Sequence, residues 1–358
     1  MNADFFANSL PVLIGSLPVS DHEEAIRHVL KYTPEIPLWV QLPFYKKEGM
    51  IVQFMPGMPG AKFEEEKNFI DTSDEKFDND VLKFYEEYMD VLEGNADLFG
   101  SRFSLAEDEA RGFFVFLEHI KTLASPPAAL KGQITGPLTF CTSLNDQDGR
   151  AIFYNDQLRD VAVKLLSLKA KWQARKLAES GYPVIIFLDE PALAGFGSSA
   201  LISISKDEII ECFNEVITAI HEEGGLAGVH VCANADWSLI FDSKTDIISF
   251  DAYSFFDKFI LYPDQLKDFF EAGRFLAWGI VPTLHAEDID RETTDSLVAN
   301  WKEKALKLEN MGIEKDRIFA QSLISPSCGT GSLGIDHAIK VLKLTREVSE
   351  RLREEFAV

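Results

Sequence analysis

Cysteine is scarce: Cys141, Cys212, Cys232 and Cys328 are the four in a chain of 358 residues. That is too few for a disulfide framework at this size, and it points to a reducing compartment. Basic residues are scarce as well, with 35 Lys plus Arg against 58 Asp plus Glu and a formal net charge of −23. Such a surface repels phosphate backbones and anionic lipid headgroups, so neither nucleic acid nor membrane is an expected partner. Acidity of this kind also serves simply to keep a protein soluble. No apolar run approaches the roughly 20 uninterrupted residues of a membrane span. The N-terminal MNADFFANSLPVLIGS has neither a basic n-region nor a long apolar h-region, so it does not read as a secretory signal. The expectation is a cytoplasmic protein.

What is present is apolar and evenly spread. Hydrophobic residues make up 46% of the chain, enough for a large core and too many for a disordered segment. The length is usual for a single α/β barrel, a fold that commonly runs to about 250 residues and beyond. Short apolar runs alternate with longer helical patterns. The runs are Val12–Ser16, Pro37–Leu42, Leu130–Thr135, Pro183–Asp189, Leu226–Cys232, Asp246–Asp251, Phe275–Val281 and Arg317–Leu323. Continuous hydrophobicity over this length suits strands buried on both faces. Helix patterns fall at Asp21–Lys31, Asn155–Ser180, Lys206–Glu223, Thr294–Met311 and Ile335–Glu355, with caps such as Asp21 and Ser205 and stops at Gly181, Gly224 and Gly312. This alternation predicts a (β/α)₈ barrel, one catalytic domain over residues 1–358.

Residues 46–125 break the rhythm. They hold MPGMPG at 55–60, the acidic run EEEKNFIDTSDEKFDND at 64–80, and helix patterns at Val81–Glu93 and Leu105–Leu123. The stretch reads as an insertion after the second strand, lying over the barrel mouth, or as an ordinary long loop with a helix.

Side chains at the C-terminal ends of barrel strands converge on one pocket. The fifth run ends VHVCAN, which puts His230 and Cys232 on one side of a strand, half of a tetrahedral zinc site. The other reading of H-x-C is a buried thiol beside a hydrogen-bonded histidine. SPSCGTG after the last run adds Cys328 at a second strand end, with Gly329 and Gly331 leaving room for a ligand. The sixth run ends SFDAYS, where Asp251 serves as an oxygen donor to the metal or as a helix cap. In FLDEPAL, Asp189 and Glu190 point to opposite sides, and Asp189 is the one expected in the pocket, gripping an ammonium group or acting as a base. Gly15 and Ser16 in IGSLP, and Thr135–Pro137 in ITGP, offer an N–H and hydroxyls to a carboxylate, or are turn chemistry alone. His285, after the seventh run, is the remaining histidine near the mouth and a candidate proton carrier. His22, His28, His119 and His221 are expected on solvated helix faces, Cys212 in the core, and Cys141 near the mouth.

LIGSLP, ITGP, FLDEPAL, HVC and PSCG, in this order and spacing, resemble the catalytic C-terminal barrel of cobalamin-independent methionine synthase, across nearly the whole chain. That barrel shares a superfamily with uroporphyrinogen decarboxylases and methylcobamide-dependent thiol methyltransferases. The resemblance implies Zn²⁺ on His230, Cys232 and Cys328, with Asp251 where the family has a glutamate. It implies that the Ile14 backbone and the Ser16 hydroxyl hold the homocysteine carboxylate and Asp189 its amino group. The family's second barrel, its acidic-aromatic motif after the second strand and its histidine after the seventh have no direct counterpart; GIVPTLH displaces that histidine to His285. The implied reaction is methylation of the homocysteine thiol to methionine, with methylcobalamin or a corrinoid protein as donor rather than methyltetrahydrofolate. Alternatives are methylation of another thiol, a uroporphyrinogen-decarboxylase-like activity, or binding without catalysis.

Overall fold

The computed structural model describes residues 5–64, 67–198, 201 and 203–356. The strands in chain order are β1 (Leu10–Pro11), β2 (Ala61–Phe63), β3 (Asn68–Ile70), β4 (Leu130–Thr135), β5 (Asn145–Asp146), β6 (Val184–Asp189), β7 (Leu226–Val231), β8 (Ile247–Phe250), β9 (Phe275–Val281) and β10 (Ser322–Pro326). One sheet runs β1-β10-β9-β8-β7-β6-β4 with every pair parallel, and β2, β3 and β5 make a small second sheet. β4 and β6 are buried at every position, as apolar strands must be when helices cover one face and a core fills the other.

The large sheet is curled and open between β1 and β4. Residues 37–41 lie across the gap: Leu38 bridges Lys131 on β4, and Gln41 bridges Ser16 beyond β1, both in the parallel sense. Pro37–Leu42 is therefore a segment with isolated bridges rather than a laddered strand. Pro37 has no N–H to donate; Pro37 O accepts from the Lys131 N–H at 2.9 Å and Gln41 O from the Leu17 N–H at 3.3 Å, while between them Trp39 O is taken by the Gln133 side-chain amide at 3.0 Å. The ladder of the first run is Leu10–Pro11 rather than Val12–Ser16, with the Val12 N–H still donating to Ile324 O at 2.9 Å and Ile14 O held by the Lys131 ammonium at 2.5 Å.

The last run also differs from expectation. Lys315–Ala320 is helical, with Ile318 buried, and the strand is the Ser-Leu-Ile-Ser-Pro that follows. An apolar pair such as Ile318–Phe319 fits either a strand or one face of a short helix. The shift brings Cys328 to two residues past the strand end.

Helix ends follow their capping chemistry. The Asp21 carboxylate accepts from the Glu23 N–H at the start of His22–Tyr32, and Ser205 with Glu208 forms a reciprocal capping box on Lys206–His221. Residues 46–125 contain the β2–β3 hairpin and the helices Phe77–Glu93 and Arg111–Ile120. The first of these helices starts earlier and the second is shorter than the periodicity predicts, because Leu105 and Ala110 are buried in turns before it. The beginning of this stretch reaches the sheet: the Thr135 hydroxyl donates to Met50 O at 2.6 Å.

Most buried side chains belong to one core between helices and sheet. A separate cluster of Phe5, Leu10, Val12, Ile185, Phe187, Ile247, Ala277 and Leu323 fills the lower part of the curl. Among the described residues no helix is long and apolar enough to cross a membrane.

Candidate metal centre

Because the sheet is parallel, its strands deliver their C-terminal residues to one end. In the register, Asp189 on β6 pairs with His230 on β7, and His230 with Ser249 on β8. His230 is followed at the next same-side position by Cys232, and the turn after β10 returns Cys328. One donor atom from each of His230, Cys232 and Cys328 lies within 4.8 Å of the others. His230 is buried; its Nδ1 is 2.9 Å from the Ser249 hydroxyl, while its Nε2 is buried with no hydrogen-bond partner. A buried polar atom left unpaired is unfavourable by itself. Ligation by Nε2, with Nδ1–H donating to Ser249, would satisfy the ring and fix its tautomer.

The two sulfurs are in contact. Contact with Cys328, then with the His230 imidazole, holds the Cys232 thiol at about 4, far below the usual thiol range. The same contact, followed by burial, pushes Cys328 up. One imidazole and two such sulfurs, with a position left for an incoming group, are a donor set that fits zinc.

The cluster opens on a cavity of ≈ 360 Å³, whose wall includes Ile14, Gly15, Ser16, Met50 and Asp189. Asp189 is buried, with Oδ1 unpartnered; burial raises its carboxyl to about 6, and His230 and Lys131 limit the rise. Its neighbour Glu190 turns away and accepts from the Leu138 and Thr139 N–H groups and the Thr139 hydroxyl, at the N-terminus of the helix Pro137–Ser143. Burial raises Glu190 to about 7 against those bonds.

Lys131 is absent from the sequence-based candidates. It is fully buried with its ammonium on Ile14 O and 4.4 Å over the Phe187 ring, and burial lowers it to about 8. A lysine in the middle of an otherwise apolar strand, LKGQIT, is the signal that could have found it.

Asp251 is buried and caps the helix Ala252–Phe259 by accepting from the Ser254 N–H at 2.8 Å; it is not one of the three clustered residues. His285 is exposed at the N-cap of Ala286–Arg291 and does not line the cavity. Ser16 lines it while bonded to the loop after Cys328. Cys141 is buried in the core rather than at the mouth, and burial raises its thiol far above the usual range; Cys212 is buried too. His22 is not solvated: it is buried, 2.6 Å from buried Glu48, and Glu48 also accepts from the Leu42 N–H. The partner lies in the long loop, so the pattern of His22's own helix could not reveal it.

Fold and site define a class: an α/β protein with a curled parallel sheet, carrying a His/Cys/Cys cluster able to coordinate a metal ion at the strands' C-terminal end. No protein-family model and no curated protein matches the sequence. Among solved structures the chain is similar to a B12-independent methionine synthase from Shewanella sp. W3-18-1 in complex with selenomethionine, at 20% identity and a TM-score of 0.47, over 68% of this chain and 67% of that one. It is also similar to the tandem GH20 catalytic modules of the pneumococcal exo-beta-D-N-acetylglucosaminidase StrH, at 12% identity and a TM-score of 0.46, over 96% and 85%. Both likenesses are distant, and the chemistry rests on the side chains.

Proposed function

We propose that this chain is a zinc-dependent methyltransferase that forms methionine by methylating the thiol of homocysteine, with methylcobalamin or a corrinoid protein rather than methyltetrahydrofolate as donor. In this reading residues 1–358 are one (β/α)₈ barrel with 37–41 as its second strand, and 46–125 are inserted over the mouth. The observation that carries the reading is the unpartnered Nε2 of buried His230 in a cluster with two cysteine sulfurs.

His230, Cys232 and Cys328 would hold the ion, with Asp251 the candidate oxygen ligand. Zinc bound there supplies a Lewis acid that keeps a coordinated thiol ionised at neutral pH, whereas a free thiol with a pKa of about 8.5 is mostly protonated. The unpartnered Oδ1 of Asp189 accepts the substrate ammonium. The Ser16 hydroxyl and the Ile14–Gly15 backbone receive the carboxylate, and the Lys131 ammonium on Ile14 O adds positive charge behind them. Ser249 fixes the His230 ring, so the acceptor sulfur meets the donor in one orientation. Glu48, Gly49 and Met50 wall the cavity and limit water. His285, exposed near the end of β9, is the candidate for carrying the released proton to solvent.

A cavity of ≈ 360 Å³ suits an amino-acid-sized acceptor. The test is methionine formation by zinc-loaded protein from homocysteine, with methylcobalamin and methyltetrahydrofolate assayed side by side and coenzyme M as a competing acceptor. Methionine from methylcobalamin alone is expected. No methionine from either donor, or equal rates without metal, contradicts the proposal.

A further inference from the structure

The loop that carries Cys328 is wrapped around a single residue from the other end of the chain. Ser16 O accepts from the Thr330 N–H at 3.1 Å and from the Thr330 hydroxyl at 3.0 Å, and Ser16 Oγ accepts from the Gly331 N–H at 3.2 Å. Thr330 is buried, while Ser16 and Gly331 are half-buried, so these bonds are partly shielded from water. The glycines on either side exist for the same contact. A Cβ on Gly329 would lie 2.3 Å from Ser16 Oγ, with its next neighbours, Ser16 Cβ and N, at 3.5 and 3.6 Å. A Cβ on Gly331 would lie 2.6 Å from Pro43 Cγ and 2.9 Å from Ser16 Cβ and Oγ.

We propose that Ser16 is a positioning residue for Cys328: the clip of Ser16 with Gly329, Thr330 and Gly331 sets the height at which the third metal-binding side chain meets His230 and Cys232. The proposal rests on the metal reading above and adds to it. β1 and β10 are paired neighbours, and the clip continues their contact beyond the ladder; on the other side of Cys328, Ser327 is held to the end of β9 by its N–H on Val281 O at 2.8 Å and by its hydroxyl with Thr283. The remaining hydrogen of the Ser16 hydroxyl stays available to a ligand in the cavity. Occupancy of that cavity and retention of the metal are therefore coupled through one residue, and reciprocally so.

The steric half of the clip gives a test with a built-in rescue. Gly329→Ala places a methyl group against Ser16 Oγ; rotating the hydroxyl aside gives up the Gly331 N–H. Ser16→Gly removes both Oγ and Cβ, leaving Ser16 N at 3.6 Å as the nearest neighbour of the added methyl, while the two Thr330 bonds to the backbone carbonyl persist. Cobalt(II) titrated into metal-free parent, Gly329→Ala, Ser16→Gly and the double variant, with circular dichroism to verify folding, reads both affinity and the thiolate-to-cobalt charge-transfer band. Gly329→Ala is expected to weaken cobalt binding roughly 100-fold, the upper range for a supporting contact, and to lose about half of the charge-transfer intensity as one of two thiolates withdraws. The double variant is expected to return to within about 10-fold of the parent with the full band. A Gly329→Ala protein that binds cobalt like the parent, or a folded double variant that stays as weak as Gly329→Ala, overturns the clip. A parent that shows no charge-transfer band at all sinks the metal reading instead.

Discussion

The interior of the curled sheet has two levels of opposite character. Below, Phe5, Leu10, Val12, Ile185, Phe187, Ile247, Ala277 and Leu323 form a closed apolar plug. Above, two positions on from Phe187, Ile247 and Leu323, stand Asp189, Ser249 and Ser325, with Lys131 on β4 and His230 on β7 beside them, all buried. The lower level gains from every contact. The upper level is unfavourable for folding, since it buries an ammonium, a carboxyl and an imidazole, and it leaves Asp189 Oδ1, His230 Nε2 and Ser325 Oγ without partners. A pleat sends alternate residues inward whatever their type. On β6, β8 and β10 the alternation changes from apolar to polar between Phe187 and Asp189, Ile247 and Ser249, and Leu323 and Ser325, which marks where stability gives way to function, and the parallel order of the strands brings the polar positions to one end.

If the two levels have separate jobs, substitutions in them separate stability from metal binding. Leu323→Ala in the plug is expected to lower stability by about 3 kcal/mol with zinc content unchanged, as read by denaturant melts and elemental analysis; a loss of metal in the folded variant would join the two levels. Lys131→Met tests the polar level itself. Because burial lowers Lys131 to about 8, the folded chain releases its proton before the unfolded chain does. Stability from this group is thus poorest below pH 8 and rises between about pH 8 and 10.5, by roughly 3 kcal/mol. Lys169 is buried with its pKa also lowered to about 8, so the parent-minus-variant difference isolates Lys131. Lys131→Met is expected to flatten that part of the stability-against-pH curve; an unchanged curve contradicts burial of a charged lysine.

Ser249→Ala removes the group on His230 Nδ1 and is expected to weaken metal binding about 10-fold, with a small change in melting temperature; equal affinity would leave Ser249 without an orienting role. The smallest effect separates the two readings of Asp251. If its carboxylate serves only as a cap, Asp251→Asn keeps metal affinity, since Asn caps as well as Asp, while Asp251→Ala loses about 1 kcal/mol of stability. A drop in affinity for Asp251→Asn makes it a ligand.

How much of this was legible in the sequence depends on which force acts. The i, i+2 spacing of His230 and Cys232 was readable because a strand's period is set by its backbone. Asp189 was separable from Glu190 on the same ground. Cys328 was readable from its small neighbours even though the strand before it was misplaced by several residues. Ile318–Phe319 satisfies a strand and a helix pattern equally, and only packing against the neighbouring helices decides between them. The second strand was legible as an apolar run, yet its ladder is reduced to isolated bridges, with Trp39 O taken by the Gln133 side chain, which no periodicity encodes. The His22–Glu48 pair and the Ser16 clip join segments distant in the chain, so neither leaves a local trace.

Elemental analysis of zinc per chain, in the parent and in Cys328→Ser purified alike, bears most directly on the upper level as a metal site. About one zinc per parent chain and little in the variant, with both equally folded, is the outcome predicted for a His/Cys/Cys centre. A folded parent free of zinc after exposure to the ion, or a Cys328→Ser protein that retains it as tightly, would mean the three side chains meet for another reason.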